Sequence, residues 1–150
     1  MPSNEHIDFM RHALDEGRTG AAAGNPAIGS VIIRDGQIVA RGHNTVASTC
    51  DPTCHAETVA IRHICQAEEI TDLSGTTLYT TMEPCPMCMW VICMTKIDRL
   101  VMGARIADMQ PLTVNYGGYS VESFLNLTDN EIDVVTGVLV DDCAALRRGN

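Results

Sequence analysis

Two short stretches decide the fold of this chain: Asp51-Pro52-Thr53-Cys54-His55-Ala56-Glu57 and Glu83-Pro84-Cys85-Pro86-Met87-Cys88. Together they supply one imidazole, two thiols three residues apart, and a carboxylate two residues after the imidazole. Imidazoles, thiolates and carboxylates are the groups that bind zinc in proteins. We therefore predict that the two stretches converge on one metal ion.

His55, Cys85 and Cys88 are the predicted ligands of one Zn²⁺ ion per chain. One His and two Cys form an attested catalytic set, in which the fourth position stays open for water. The carboxylate of Glu57 is then free to move protons. The alternative is a closed structural site with Cys54 as fourth ligand. Neighbouring residues on a helix point about 100° apart, which makes joint ligation by Cys54 and His55 awkward.

The same residues carry a resemblance to a known family. The pattern H-x-E followed by P-C-x-x-C is the signature of zinc deaminases, and from about residue 26 to residue 105 this chain resembles the cytidine deaminase-like superfamily. The branches that it resembles most are the bacterial guanine deaminases and the tRNA adenosine deaminases. The resemblance implies an α/β fold of three α/β/α layers, with a five-stranded mixed sheet and helices on both faces.

The resemblance also implies a catalytic role for Glu57 and substrate-binding roles for further residues, namely Ile28, Asn44, Ala56, Glu83 and Cys85. Asn44 is expected to hydrogen-bond the substrate base and Ile28 to contact it. The backbone N–H groups of Ala56 and Cys85 are expected to hold substrate polar atoms. Three roles stay open for Glu83: holding the substrate, holding a loop, or capping a helix. Members of the family are usually dimers, so a homodimer is expected.

Length and composition predict one soluble domain over residues 1–150, with 45% apolar and 19% charged residues. No apolar run is long enough to span a membrane, and the N-terminus shows no basic-then-apolar signal region. We therefore expect a cytoplasmic protein without a membrane partner.

The charge balance bears on the substrate. The net charge is −9, with ten Lys and Arg against nineteen Asp and Glu. Proteins that bind nucleic acids normally carry a basic surface, because phosphate contacts dominate their affinity. The balance therefore argues against a nucleic acid as partner and favours a small neutral substrate.

Local patterns predict the elements of the first half of the chain. We expect a helix over residues 4–16 that ends at Gly17 and Gly20, followed by a Gly/Ala-rich loop over residues 19–24. Strands are predicted over residues 30–33 and 37–40, and Asp35-Gly36 between them is typical of a hairpin turn. A loop over residues 45–52 then leads to a helix that begins at Cys54 or His55 and ends near Ala67.

In the second half, strands are predicted over residues 76–81 and 99–104, joined in parallel by a crossover helix that Pro84 begins. Trp90 of that helix is expected in the core or in an interface. Residues 108–130 show no clean period and are predicted as a long loop with a short helix. A strand over residues 132–136 and a helix over residues 138–148 complete the prediction.

The leading functional prediction is a hydrolase of the C–N bonds of cyclic amidines, which converts the exocyclic amine of a small free heterocycle to a carbonyl and releases ammonia. Guanine is the first candidate substrate, and cytosine or a triazine comes next; the charge and the Pro86-Met87 pair, as in guanine deaminases, favour it. The first alternative is a tRNA-specific adenosine deaminase, because residues 136–146 resemble that branch. The second alternative is a non-catalytic zinc-stabilised interaction module, in which Glu57 has no function.

Overall fold

The computed structural model describes residues 1–149; Asn150, the last residue of the predicted domain, lies outside them. Five strands form one sheet: β1 (Gly29–Arg34), β2 (Gln37–His43), β3 (Thr76–Met82), β4 (Arg99–Ala104) and β5 (Asp133–Val135). Their order across the sheet is β2-β1-β3-β4-β5. Strand β1 runs antiparallel to β2 and β3, whereas β3, β4 and β5 are parallel. The sheet is therefore mixed and five-stranded, as predicted.

Residues 1–149 also form six α-helices: α1 (Asn4–Ala22), α2 (Val46–Thr49), α3 (Ala56–Glu68), α4 (Pro86–Met94), α5 (Val121–Thr128) and α6 (Val140–Arg148). A short 3-10 helix spans Ile106–Met109. No helix among residues 1–149 is long and apolar enough to cross a membrane.

Alternate side chains of the central strands build two separate cores. Val31 of β1 packs in one cluster with Leu14 of α1 and residues of α6. Its neighbour Ile32 packs in the other cluster with Ile64 of α3 and residues of α4 and α5. Successive strand residues point to opposite faces, so helices α1 and α6 cover one face and helices α3, α4 and α5 the other. The predicted three-layer α/β/α fold is confirmed.

Helix α1 is longer than predicted, because Gly17 and Gly20 do not end it. A Cβ atom on Gly17 would lie 2.8 Å from Leu146 of α6 and 3.3 Å from the backbone nitrogen of Gly29, and one on Gly20 would lie 2.9 Å from the His43 ring. A glycine inside a helix costs about 1 kcal/mol relative to alanine. Here the two glycines let the helix lie close against the sheet. The predicted loop over residues 19–24 is therefore wrong in its first part, because the helix continues through Ala22.

Two other predictions about connections are confirmed. Asp35 and Gly36 have φ angles of +52° and +73° and connect Arg34 to Gln37, the last pair of the β1–β2 ladder. Two left-handed residues in succession are typical of a type I′ turn, whose twist matches the twist of the strands. Helix α4 connects β3 to β4 in parallel. The loop predicted over residues 45–52 differs only in holding the short helix α2.

Candidate active site

The predicted metal ligands lie at the starts of two helices. His55 and Cys85 directly precede the first helical residues, whereas the sequence predicted them inside the first turns. His55 is the N-cap of α3 and Cys85 the N-cap of α4, both with extended backbone. Pro86, and not Pro84, is the first residue of α4. Proline suits that position because the N–H it lacks would have no acceptor within the helix. Glu57 lies in the first turn of α3 and Cys88 in the first turn of α4.

The ligand atoms of His55, Cys85 and Cys88 all lie within 4.8 Å of one another. Nδ1 of His55 is 3.4 Å from Sγ of Cys85, and Sγ of Cys88 is 3.3 Å from Oγ1 of Thr58. One nitrogen and two sulfurs at this spacing fit a zinc ion bound by three protein ligands.

Cys54 does not belong to this group. Its thiol is buried and accepts a hydrogen bond from Arg62 at 3.5 Å. Among residues 1–149 the group of possible metal ligands at this site therefore holds three residues, and Cys54 does not supply the fourth ligand that a closed structural site would need.

Hydrogen bonds within the group divide the charge of the two thiols unequally. The pKa of Cys85 is lowered, chiefly by a hydrogen bond from Cys88 and further by one from His55. The pKa of Cys88 is raised by the same hydrogen bond with Cys85 and by burial. The pKa of His55 is raised by its hydrogen bond with Cys85. One negative charge is thus concentrated on Cys85, and a metal that binds both sulfurs would release the proton that Cys88 holds.

Glu57 is buried, with 4% of the residue exposed. The hydroxyl of Thr80, on β3, donates a hydrogen bond of 2.9 Å to its carboxylate and so fixes its orientation. Burial raises the pKa of Glu57. A carboxyl group whose proton affinity is raised in this way is suited to accept and return a proton.

A cavity of about 240 Å³ opens beside His55. Its lining residues come from six parts of the chain: Pro26, Ile28, Asn44, Val46, His55, Met82, Leu112, Thr113, Val114, Tyr116 and Arg147. The lining is mainly apolar with a few polar groups, which is the usual composition of a small-molecule site.

The structure brings two of the predicted substrate-binding side chains, Ile28 and Asn44, to this cavity. Asn44 is buried, and its side-chain oxygen accepts a hydrogen bond of 3.0 Å from the backbone N–H of Val46. That bond leaves the amide nitrogen to donate. Ala56, Glu83 and Cys85 do not belong to the cavity lining.

Glu83 lies at the end of β3 and is buried, with 3% of its side chain exposed. Its carboxylate accepts hydrogen bonds from the backbone N–H groups of Ile106 and Val121, both 2.9 Å long. It also pairs with the Arg105 guanidinium at 3.0 Å. Because Ile106 and Val121 are the first residues of the 3-10 helix and of α5, these contacts correspond to two of the roles left open by the sequence, namely capping a helix and holding the loop between the two helices. Holding the substrate stays a prediction.

The sequence missed the residues that line the far side of the cavity, namely Leu112, Thr113, Val114, Tyr116 and Arg147. The first four lie between the 3-10 helix and α5, in a segment with no hydrophobic period. The Tyr116-Gly117-Gly118-Tyr119 sequence was the available signal, since aromatic residues in a glycine-rich loop are typical of binding segments. Arg147 gave no such signal.

Of the two placements predicted for Trp90, the core is wrong and the interface stays a prediction. Trp90 lies on the outer side of α4 with 52% of the residue exposed, at 6.4 Å from the ring of Phe124 in an edge-to-face arrangement. It is therefore not part of the core of a single chain.

The family model for the zinc-binding region of cytidine and deoxycytidylate deaminases matches residues 3–104. Among curated relatives, the tRNA-specific adenosine deaminase of Bacillus subtilis is 33% identical over 143 residues, which cover 92% of this chain and 83% of that protein. The chloroplastic tRNA(adenine(34)) deaminase of Arabidopsis thaliana is 44% identical over 96 residues, which are 64% of this chain but 7% of the length of that much longer protein. Guanine deaminase of Bacillus subtilis is 42% identical over 104 residues, 69% of this chain and 67% of that protein.

The solved structures that superpose on this chain include deaminases that act on two kinds of substrate. One, from work on A-to-I editing by tRNA:A34 deaminases, superposes with a TM-score of 0.80 at 35% identity and covers 93% of this chain and 98% of its own. Another, guanine deaminase from Nitrosomonas europaea, superposes with a TM-score of 0.85 at 26% identity and covers 99% of this chain and 85% of its own.

These comparisons contradict the leading prediction of a small free base as substrate, with guanine first. Most of the similar curated proteins are tRNA-specific adenosine deaminases, which match this chain at 31–44% identity. The argument from net charge against a nucleic acid is weakened for the same reason, since relatives with a closely similar sequence act on tRNA. The deaminase prediction itself stands, because the family model and the relatives agree on it: the chain belongs to the cytidine deaminase-like superfamily, in the family with the cytidine and deoxycytidylate deaminase zinc-binding region.

Proposed function

We propose that this protein is a tRNA-specific adenosine deaminase, which hydrolyses the exocyclic amine of an adenosine at the wobble position to give inosine and ammonia. The observation that carries the proposal is the extent of the match. Several bacterial tRNA-specific adenosine deaminases align with 92–97% of the chain, including the segment after residue 104, whereas the Bacillus subtilis guanine deaminase aligns with 69% of it.

In the proposed enzyme, His55, Cys85 and Cys88 hold one zinc ion. When bound by three protein ligands, zinc activates water as a nucleophile near neutral pH. Everything else in the reaction depends on how the residues of this chain position the base and move protons.

Glu57 is the proposed proton carrier. Its carboxylate accepts a proton from the attacking water and delivers it to the ring nitrogen next to the reacting carbon of adenine. It then takes the second proton from the new hydroxyl group on that carbon and transfers it to the exocyclic amine. The amine leaves as ammonia, and the carbonyl of inosine remains. The hydrogen bond from Thr80 keeps the carboxylate in one orientation through both transfers.

The cavity beside His55 is the proposed place for the adenine ring. An enzyme of this kind turns its target base out of the nucleic-acid stack and into a close-fitting pocket. About 240 Å³ is below the usual range of sites for drug-sized ligands and suits a single base. Asn44 would donate from its amide nitrogen to an acceptor of the base, and Ile28 would pack on the ring.

The decisive experiment is inosine formation in RNA by the zinc-loaded protein. The substrate is an anticodon stem-loop with adenosine at the wobble position, and the matched control RNA carries that adenosine at a stem position. We expect inosine in the first RNA only, and none with the Glu57→Gln variant. No inosine in either the stem-loop or full-length tRNA at low salt would overturn the proposal.

A homodimer belongs to the proposal, as the family resemblance implies. Trp90 and Met94, exposed on the outer side of α4, are the apolar residues on which to test it. A dimer by light scattering that dissociates in the Trp90→Ser variant supports the prediction, and a monomeric wild-type protein at micromolar concentration contradicts it.

A further inference from the structure

Arg147 is an arginine that helix α6 carries to the wall of the active-site cavity. It lines the cavity together with Asn44 and His55. Its Nε atom is buried and has no hydrogen-bond partner among residues 1–149. A buried donor without an acceptor costs free energy, so the described residues leave this side chain unsatisfied. The part of the Arg147 side chain that lines the cavity is the part that a ligand can reach.

The other cations of this acidic chain are mostly neutralised within it. Six of the ten Lys and Arg form ion pairs with carboxylates, namely Arg11, Arg18, Arg34, Lys96, Arg99 and Arg105. Arg147 forms no ion pair with any carboxylate of residues 1–149, although the chain carries nineteen Asp and Glu. The one arginine at the cavity is thus left with its charge available.

The charge of the cavity indicates which part of a substrate Arg147 meets. Among residues 1–149, Arg147 is the one permanently charged residue of the cavity lining, whose other groups are apolar or neutral polar side chains and His55, a lining that suits a neutral base. A nucleotide carries its negative charge on the phosphates, which a cavity with room for one base leaves at its rim. A guanidinium binds phosphate oxygens through two parallel hydrogen bonds, which makes arginine suited to this position.

We propose that Arg147 binds a phosphate that adjoins the target nucleoside and so selects nucleotide substrates over free bases. This inference rests on the proposed function. It also gives a protein with a net charge of −9 one phosphate contact at the place where the target nucleotide binds.

Arg148 provides a matched control. It is the next residue on the same helix and has the same charge, but it is exposed and donates a hydrogen bond of 2.6 Å to the backbone oxygen of Asp108. It does not line the cavity. Replacing either arginine by alanine changes the net charge equally, so any difference between the two variants reports position and not charge.

The first measurement is kcat/KM for the anticodon stem-loop with the wild-type protein, Arg147→Ala, Arg147→Lys and Arg148→Ala, each checked for folding by circular dichroism and for zinc content. A hydrogen bond to a charged group contributes enough that Arg147→Ala should lower kcat/KM by about 10- to 100-fold, mainly through KM. Arg148→Ala should change it by less than about 3-fold, and Arg147→Lys should recover part of the loss because lysine binds phosphate as a point charge. Equal losses in Arg147→Ala and Arg148→Ala would overturn the inference.

The second measurement identifies the phosphate. Stem-loops with a neutral methylphosphonate on the 5′ or the 3′ side of the target adenosine are compared in the wild-type and Arg147→Ala proteins. One methylphosphonate should lower wild-type kcat/KM by about the same factor as Arg147→Ala and have no further effect in that variant. Additive losses at both phosphates would show that Arg147 contacts another group and would overturn the inference.

A mononucleotide is the other possible source of the same phosphate. Inhibition of stem-loop deamination by AMP and by adenosine distinguishes the two sources: an Arg147-dependent preference for AMP means that a single nucleotide satisfies the site, and its absence means that the RNA backbone is required. A wild-type protein that makes no inosine in RNA is a different result, since it overturns the proposed function itself.

Discussion

The two sides of the active-site cavity are built in different ways. One side, which we call the catalytic side, consists of the starts of α3 and α4, with His55 at the cavity and Glu57, Cys85 and Cys88 beside it. The other side, the wall, consists of the segment over residues 105–120, which contributes Leu112, Thr113, Val114 and Tyr116 to the cavity lining, and of Arg147 from α6. The catalytic side follows directly from regular elements that pack on the sheet. The segment of the wall has little regular structure beyond the 3-10 helix, and the Glu83 carboxylate accepts hydrogen bonds at both of its ends, from Ile106 and Val121.

The difference suggests a division of roles, in which the catalytic side determines the reaction and the wall determines the substrate. The family model ends at residue 104, directly before the wall begins. Solved relatives that superpose well on this chain include both a tRNA deaminase and guanine deaminases. We expect the relatives to share the catalytic side and to differ in the wall, because loops on a rigid scaffold change more readily than the scaffold itself.

The largest effect is expected on the catalytic side. Glu57→Gln keeps the size of the side chain and removes its ability to carry a proton, so kcat should fall by about 10²- to 10⁴-fold. Zinc content, measured by mass spectrometry, should stay at the wild-type level because Glu57 is not one of the three ligands. An unchanged kcat in this variant would show that Glu57 is not the proton carrier, whereas a zinc-loaded wild-type protein without any deaminase activity would favour the non-catalytic zinc module.

The support of the wall is expected to be the next most sensitive point. Glu83→Ala leaves two buried backbone N–H groups without their acceptor and leaves Arg105 with Glu122 as its remaining carboxylate partner. Each buried donor left unsatisfied costs about 1–3 kcal/mol, and the loss should appear in the free energy of unfolding measured with urea.

Glu122 is the matched control for Glu83, because it pairs with the same arginine but 53% of its side chain is exposed. Glu122→Ala should lower the free energy of unfolding by no more than about 1 kcal/mol, as exposed ion pairs contribute little. Similar losses in the two variants would show that Glu83 does not organise the wall.

Alanine substitutions at two glycines, one in the sheet and one in the wall, test how tightly each region is packed. A Cβ atom on Gly29, at the start of β1, would lie 2.0 Å from the backbone oxygen of Ala13, whereas one on Gly118 would meet no atom within 4 Å. Overpacking costs about 1–3 kcal/mol and occasionally more, so Gly29→Ala should lower the melting temperature by several degrees. Gly118→Ala should leave it within about one degree of wild type, since the two variants add the same methyl group. A comparable loss at Gly118 would mean that the wall is as tightly packed as the sheet.

The smallest effect is expected for the hydroxyl of Tyr116 in the wall. We expect the ring to contribute by stacking on the base, so Tyr116→Phe should change kcat/KM for the stem-loop by less than about 3-fold. Tyr116→Ala removes the ring and should lower kcat/KM by the factor that corresponds to roughly 1–3 kcal/mol of stacking free energy. Steady-state kinetics on the two variants distinguishes ring from hydroxyl. A large loss in Tyr116→Phe would assign the hydroxyl a direct contact with the substrate.

The prediction of the reaction, which depends on the catalytic side, is confirmed at the level of the deaminase family, whereas the prediction of a free base as substrate is wrong. The net charge of −9 was treated as a property of the whole surface. Substrate binding depends on the charge near the site, where Arg147 lies at the cavity with no carboxylate partner among residues 1–149. A sum over the chain cannot distinguish an arginine paired on the surface from one left free in a cavity.

The sequence by itself determined the family, the three-layer fold, the β1–β2 hairpin and the parallel β3–β4 pair. It also indicated which imidazole, thiols and carboxylate come together, since these features depend on residue type, spacing and strand-to-helix connections that are local in the chain. Only the tertiary structure decided that α1 continues through Gly17 and Gly20, that Glu83 holds the wall, and that Arg147 reaches the cavity. Each of these depends on contacts between residues that are distant in sequence, and such contacts leave no local pattern to read.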